Sequence, residues 1–243
     1  MTHKKRSHSL GWRDAIFGSA PRRCVATQSK STTRLPILTP SGWQYAEGGH
    51  EATALLLLSY LQRFGVVKRF KAQPFSLEEI GGPEDRIPDV LVELATGEST
   101  LHVIQVKSQR FITEEVKERF DIESAFLEQV GIGYHVWTDR GHLSSNTSHT
   151  VRMLDRGFRH PASRERIEQV RGFAASQTTL APLLSEFGWD DAISAASYGA
   201  FHINVTEKIH ENTPICHCFP SEKYLHLFGG RHAALDWWES VAH

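Results

Sequence analysis

The sequence predicts an α/β protein: a mixed sheet flanked by helices, followed by a smaller helical unit. Three observations carry this. Ala54, Leu55, Leu58, Leu61 and Phe64 recur at helical spacing, with Leu56 and Leu57 widening the stripe. Two short apolar runs, 87–94 and 101–106, flank a turn signal around Gly97 and read as a hairpin. An amphipathic stretch over 113–130 then leads into a β-rich run at 134–138. The order helix, strand, hairpin, helix, strand gives an α/β core with a mixed sheet.

Residues 1–40 are basic, rich in Ser and Thr and without apolar periodicity, so an irregular arm is expected. Lys4, Lys5, Arg6, Arg13, Arg22, Arg23, Lys30 and Arg34 stand there against one acid, Asp14, over residues 1–34. Such an arm either neutralises phosphates or solubilises the chain. The first helix is expected near 44–64, with Gly65 as its C-terminal cap. A strand over 66–77 follows, bent or placed at an edge by Pro74. Both hairpin runs carry Val, Ile or Leu on both faces, so those strands are expected to be central and covered on both sides. Val116, Phe120, Phe126, Leu127 and Val130 form the inward stripe of the 113–130 helix.

Residues 139–163 are polar and hold Gly, Ser, Asn and Pro, which predicts a linker. Helical stretches follow at about 164–175, 178–187 and 190–200. The second and third are spaced like a helix-turn-helix, and 201–205 and 214–219 read as wing strands. The expected organisation is an arm (1–40), an α/β domain (41–145) and a winged-helix-like domain (151–243).

The chain has 243 residues, 40% hydrophobic and 23% charged, with a net charge of −1. It contains no apolar run of about eighteen residues, so no membrane span is expected. Nor is there an apolar stretch behind the first charges, so no secretory signal is expected. Three cysteines make no disulfide framework. Together these lead to the expectation of a reducing, cytoplasmic setting.

The chemistry concentrates in Ile87-Pro88-Asp89 and Gln105-Val106-Lys107. Asp89 begins one hairpin strand, and Gln105 and Lys107 end the other, so antiparallel register brings them together. Strand side chains alternate, so Gln105 and Lys107 share a face. Polar groups converging at one end of an apolar hairpin either satisfy each other or hold a metal and a phosphate. Phosphodiester hydrolysis uses such a set: a carboxylate for Mg²⁺, an amide oxygen to assist, and a lysine to orient water or stabilise charge. A second carboxylate is wanted. Glu51 is the first candidate, because Ala54, Leu55 and Leu58 place it on the inward helix face; Glu47, one turn earlier, is the rival. The plain alternative is that Pro-Asp marks a turn and Lys107 caps a strand end in solvent.

The run Gln73-Pro74-Phe75, Ile87-Pro88-Asp89 and Gln105-Val106-Lys107 resembles the TnsA family, the endonuclease subunit of heteromeric cut-and-paste bacterial transposases. The resemblance extends from about Glu47 to Asp139 and includes Val136-Trp137-Thr138-Asp139. Gln in place of the acid of a (D/E)xK half-motif is what this family tolerates. More loosely, residues 198–215 resemble its helix-to-wing passage. The resemblance implies a restriction-endonuclease-like fold of the PD-(D/E)xK superfamily, with Glu51, Asp89, Gln105 and Lys107 at catalytic positions. Of these, Glu51, Asp89 and Gln105 would hold two Mg²⁺ ions, for which Mn²⁺ substitutes. It further implies cleavage at the 5′ ends of transposon DNA in a bacterial, nucleoid-associated setting. A TnsB-like transposase would act on the 3′ ends, and a TnsC-like ATP-dependent regulator would engage the C-terminal domain.

Other residues invite weaker readings. Cys216-His217-Cys218 with His226 suggests zinc, but adjacent strand residues point to opposite faces, and buried thiols in a wing strand are the expectation. His50 is expected to be exposed on its helix, and His102 and His135 to lie in the sheet. Arg110 is a candidate phosphate contact that also reads as a solvent-facing arginine. Trp237-Trp238 is expected to anchor a terminal helix. Two rival functions are a stand-alone restriction or repair nuclease and a non-catalytic winged-helix DNA-binding regulator.

Overall fold

Four strands form the central sheet of the computed structural model, which describes residues 11–19, 35–83, 85–95 and 101–229. In chain order they are β3 (Val67–Ala72), β4 (Val90–Leu94), β5 (Leu101–Lys107) and β6 (Gly133–Thr138); the labels β1 and β2 belong to an earlier hairpin described below. The spatial order is the same, with β3–β4 and β4–β5 antiparallel and β5–β6 parallel. The parallel pair exists because helix α3 (Glu114–Gln129) carries the chain back across the sheet. The sheet is mixed, and the hairpin strands are its two central members, as the apolar runs predict.

Strand alternation divides the core in two. Val90, Val92, Leu94, Ile104, Val106 and Trp137 face helix α2 (Gly49–Arg63). Leu91, Leu101, Val103 and Tyr134 face the other way, onto Phe120 and Leu127 of α3. Phe126 and Val116 pack partly, but Val130 is exposed; it lies past the end of α3, where the helical stripe no longer applies.

Helix α2 differs from the amphipathic expectation. Every residue from Ala52 to Leu61 is buried, the pattern of a helix covered on all sides. The cover is helix α4 (Ser145–Arg159), with α5 (Arg164–Ala174) and α6 (Ala181–Ser197) beyond it. One apolar cluster runs from the sheet through α2 into these helices.

Helix α4 occupies the stretch read as a linker. Ser144 caps it, accepting from the Thr147 N–H at 3.2 Å. Its buried face is Thr147, Thr150, Val151, Leu154, Asp155 and Gly157, so only two large apolar residues mark it and the polar composition hides the helix. Gly157 lets it approach α6: a Cβ there would stand 2.9 Å from the Ile193 carbonyl oxygen and from Ser197 Oγ.

Helix α6 merges the two expected helices across a kink at Gly188, whose φ is +77°. After it, β7 (His202–Ile203) pairs antiparallel with β8 (Ile215–Cys216), within the two expected wing segments. Cys216 and Cys218 are exposed, not buried; Cys216 ends a two-residue strand, β8, and none of the described residues covers it on that side. The short helix α7 (Ser221–Leu225) and a 3₁₀ turn (His226–Phe228) follow. Phe228 packs on His102 and His135, and the Leu227 carbonyl accepts from Trp137 Nε1 at 3.3 Å.

The arm is less irregular than expected. Helix α1 (Gly11–Gly18) lies against β3, where Lys71 donates to the Ile16 carbonyl at 2.8 Å. Strands β1 (Leu35–Thr39) and β2 (Gly42–Ala46) form a hairpin, so the helix expected from 44 begins only at Gly49. Pro36 is tolerated because this is a two-stranded edge. Lys4, Lys5, Arg6, the turn at 96–100 and Trp237-Trp238 lie outside the described residues. No helix among the described residues is long and apolar enough to cross a membrane.

Candidate active site

Strand directions bring four chain segments to one end of the sheet. There β3, β5 and β6 finish and β4 begins. Continuing the ladder register places Asp89 opposite both Gln73 and Gln105. Gln73, Asp89 and Gln105 therefore form a row across three strands, and Lys107 lies two residues beyond Gln105 on the same face.

Asp89 is 7% exposed. A carboxylate so buried needs donors. Its Oδ2 accepts from the Val106 N–H at 2.7 Å and from Gln105 Nε2. A carboxylate only accepts, so the Gln105 nitrogen must face it. That directs the Gln105 carbonyl oxygen away from Asp89. Just upstream, Arg86 pairs with Glu123 of α3, which also accepts from Tyr134 Oη at 2.7 Å. This buried anchor fixes the chain entering Asp89. Burial and then the Glu123 carboxylate push the Tyr134 phenol well up, so it stays a neutral donor.

Gln73 has a φ of +49°, in the left-handed region that non-glycine residues rarely enter. This ends β3 at Ala72, short of the expected 77. The conformation is held at both ends. The Gln73 N–H donates to the Asp89 carbonyl at 2.9 Å, and its Nε2 donates to Glu47 Oε1 at 2.9 Å. Such a conformation persists when its surroundings over-determine it, and functional sites concentrate them.

The two candidate acids are separated by their surroundings. Glu47 precedes α2 instead of lying one turn earlier on it, and its carboxylate reaches the Gln73–Asp89 row. Glu51 is in the first turn of α2, and its Oε2 accepts from the Glu47 N–H at 2.8 Å. Glu51 thus caps the helix entrance in the manner of a capping box and also suits the positive end of the helix dipole.

Lys107 is half-buried, and its side chain makes no hydrogen bond or ion pair with another described residue. Beyond it, Asp139 directly follows β6 and ties the strand ends together. It accepts from Ser108 Oγ and the Gln109 N–H, each at 2.8 Å, and lies 3.9 Å from His50 Nε2. Burial raises the Asp139 carboxyl, but the Gln109 N–H, the Ser108 hydroxyl and His50 outweigh it and hold it below the usual range. His50 is exposed on α2, as expected, and His102 and His135 are buried sheet residues with ring nitrogens 2.9 Å apart. Arg110 is exposed, its guanidinium 4.5 Å from the Phe111 ring centre.

Asp89, Gln105 and Lys107 thus share a strand end, Glu47 reaches it through Gln73, and Glu51 stands behind Glu47 on its backbone N–H. Gln73 and Asp139 had no assigned role from local pattern. The cue available for Asp139 was its place just after a strand parallel to the one ending in Lys107.

The donor set would be oxygen-only: the Asp89 carboxylate, Glu51 or Glu47, and the Gln105 carbonyl once its amide turns over from the Asp89 bond. That chemistry suits a hard divalent cation such as Mg²⁺. Among the described residues no three His, Cys, Asp or Glu side chains form a ready-made metal cluster, so such an ion would take its remaining ligands from water and substrate phosphate. The same holds for zinc at Cys216, His217, Cys218 and His226. The chain matches no protein-family model and no curated protein.

Proposed function

We propose that the chain is a Mg²⁺-dependent DNA endonuclease of the PD-(D/E)xK kind, acting as the TnsA-like subunit of a cut-and-paste transposase. The observation that carries this is the row Gln73–Asp89–Gln105, with Lys107 on the same face and two glutamates brought to the same strand end. The element order α2, β3, β4, β5, α3, β6 supports a restriction-endonuclease-like core. The kinked α6 followed by the β7–β8 pair supports a winged-helix-like C-terminal part.

In this reading a bound Mg²⁺ would supply a Lewis acid that lowers the pKa of an attacking water and offsets charge on the leaving oxygen. Asp89 and Glu51, with Glu47 as the alternative, would hold the ion, and the Gln105 carbonyl would assist once its amide turns over. The Lys107 ammonium orients the water or stabilises charge on the scissile phosphate. The products carry 5′-phosphate and 3′-hydroxyl ends. A TnsB-like transposase and a TnsC-like regulator complete the machine, in a cytoplasmic, nucleoid-associated setting.

The test is to map strand ends of a donor element in cells that also carry the neighbouring transposition genes. Wild type is expected to break both strands. Asp89→Ala and Lys107→Ala are expected to lose only the 5′-end cut and to give joined cointegrates. Glu51→Gln and Glu47→Gln, run alongside, identify the helix-side acid. If the Asp89 and Lys107 variants excise the element like wild type, the nuclease reading is lost. One observation favours a second reading in that event: Asp89 is bonded to Val106 and Gln105 much as a purely structural strand clamp would be. The α/β core would then be the scaffold of a DNA-binding regulator.

A further inference from the structure

Helix α4 presents a basic face that the catalytic reading does not use. His149, Arg152, Arg156 and His160 are exposed and recur at i, i+3, i+7 and i+11, which places them on one side of the helix and its end. The other side is buried against α2 and α6. Over residues 145–160 the only acid is Asp155, and it is bonded to Arg159 at 2.7 Å. Arg152 Nε donates to Ser148 Oγ at 3.2 Å. Arg156 has Asp190 at 3.8 Å, but both are largely exposed, and such a pair holds an arginine only weakly.

The face is aligned with the candidate active site. Thr53 in the first turns of α2 bonds Ser148 in the first turn of α4 at 3.0 Å. Arg63 at the end of α2 lies 4.1 Å over the ring of Phe158 near the end of α4. The helices therefore run side by side in the same direction. The basic face starts at the end of the molecule that holds His50 and Glu51, and leads away from it. From His149 to His160 it rises about 17 Å, roughly five base-pair steps of duplex DNA. At its far end Arg156 and His160 border a cleft of ≈ 370 Å³ with Met153, Trp189 and Ile193. Trp189, 42% exposed, offers an aromatic plane in the cleft that Arg156 borders.

We infer that this face of α4 holds the phosphate backbone of the duplex DNA delivered to the site, an inference that rests on the nuclease reading above. Two exposed arginines one turn apart, flanked by exposed histidines on the same side of the helix, match the spacing of successive phosphates. The contacts are to the backbone, so the binding is sequence-independent.

The test uses the full chain, a labelled random-sequence duplex and a chelator, so that binding is read without cleavage. Fluorescence anisotropy over a salt series gives affinity and salt slope. The Arg152→Gln, Arg156→Gln double variant is expected to bind at least about tenfold more weakly near 0.1 M salt. Its slope of log affinity against log salt is expected to flatten by about 1.8, for two phosphates lost. Lys117→Gln, on α3 across the sheet, is expected to bind as wild type. Both arginines are exposed, and a thermal melt checks that the fold is kept. Unchanged affinity and slope in the double variant overturn the inference. So does a wild-type chain that binds no duplex, and so does a double variant that loses only binding to polyglutamate, which would assign the face to an acidic protein. Cleavage with Mg²⁺ is scored separately. A chain that binds duplex through α4 while the donor-element mapping shows no cut dependent on Asp89 and Lys107 keeps the phosphate contact and removes the nuclease reading.

Discussion

Asp89 and Lys107 separate stability from chemistry. Lys107 is half-buried with no partner among the described side chains, so Lys107→Ala is expected to melt within a degree or two of wild type. Its cleavage of DNA in Mg²⁺ is expected to fall at least about a hundredfold, the scale of losing one transition-state donor. Asp89→Ala is expected to lose cleavage too, and also about 1–3 kcal/mol of stability, because the buried Val106 N–H is left without its acceptor. Cleavage assays paired with urea titrations check both. The buried histidines set a pH dependence. Burial, then His102 and His142, lowers His135 to about 3, and burial, then His226, lowers His142 to about 4. Both fall below the unfolded value of about 6.5, so the unfolded chain binds more protons. Their contribution is complete above pH 6.5 and is lost as pH falls from there toward 4 and 3. Urea midpoints are expected to drop steadily over that window, and His135→Phe is expected to flatten the decline. A midpoint constant from pH 7 to pH 4 would show that these rings do not govern acid stability.

Helix α4 shows how one glycine sets the distance between elements. A methyl at Gly157 would meet the Ile193 carbonyl and the Ser197 hydroxyl at 2.9 Å. Ser197 Oγ also lies 2.7 Å from the Leu154 carbonyl and so links α4 to α6. Gly157→Ala improves helix propensity by about 1 kcal/mol, but overpacking costs about 1–3 kcal/mol. A net lowering of the urea midpoint is expected. A rise would mean that the two helices separate easily. The strands, the hairpin pairing and α3 were legible because alternation and helical spacing are local. Helix α4 was harder to read, since Thr147, Thr150 and Gly157 share its contact face and leave mainly Val151 and Leu154 to carry the helical spacing in a polar segment. The left-handed turn at Gln73 was not legible, because two hydrogen bonds from distant segments impose it on a residue that does not prefer it.

At the scale of the whole molecule, the apolar cluster joins the sheet, α2 and α4–α6. Residues 41–145 produced alone would expose the side of α2 that α4 covers, including leucines from Leu55 to Leu61. That fragment is expected to aggregate or to lack a cooperative melt, while the full chain unfolds in one transition. A monomeric fragment with a sharp melt would establish 41–145 as an independent domain. Sequence by itself determined the mixed α/β class and the grouping of Asp89, Gln105 and Lys107. Period-two alternation and hairpin register are properties of neighbouring residues, and they need no distant contact. Only the tertiary structure decided that Glu47 bonds Gln73 beside Asp89 while Glu51 bonds the Glu47 N–H, that Asp139 and His50 close the same strand end, and that α4 lies beside α2. Those arrangements depend on packing and hydrogen bonds between segments far apart in the chain, which no local pattern encodes.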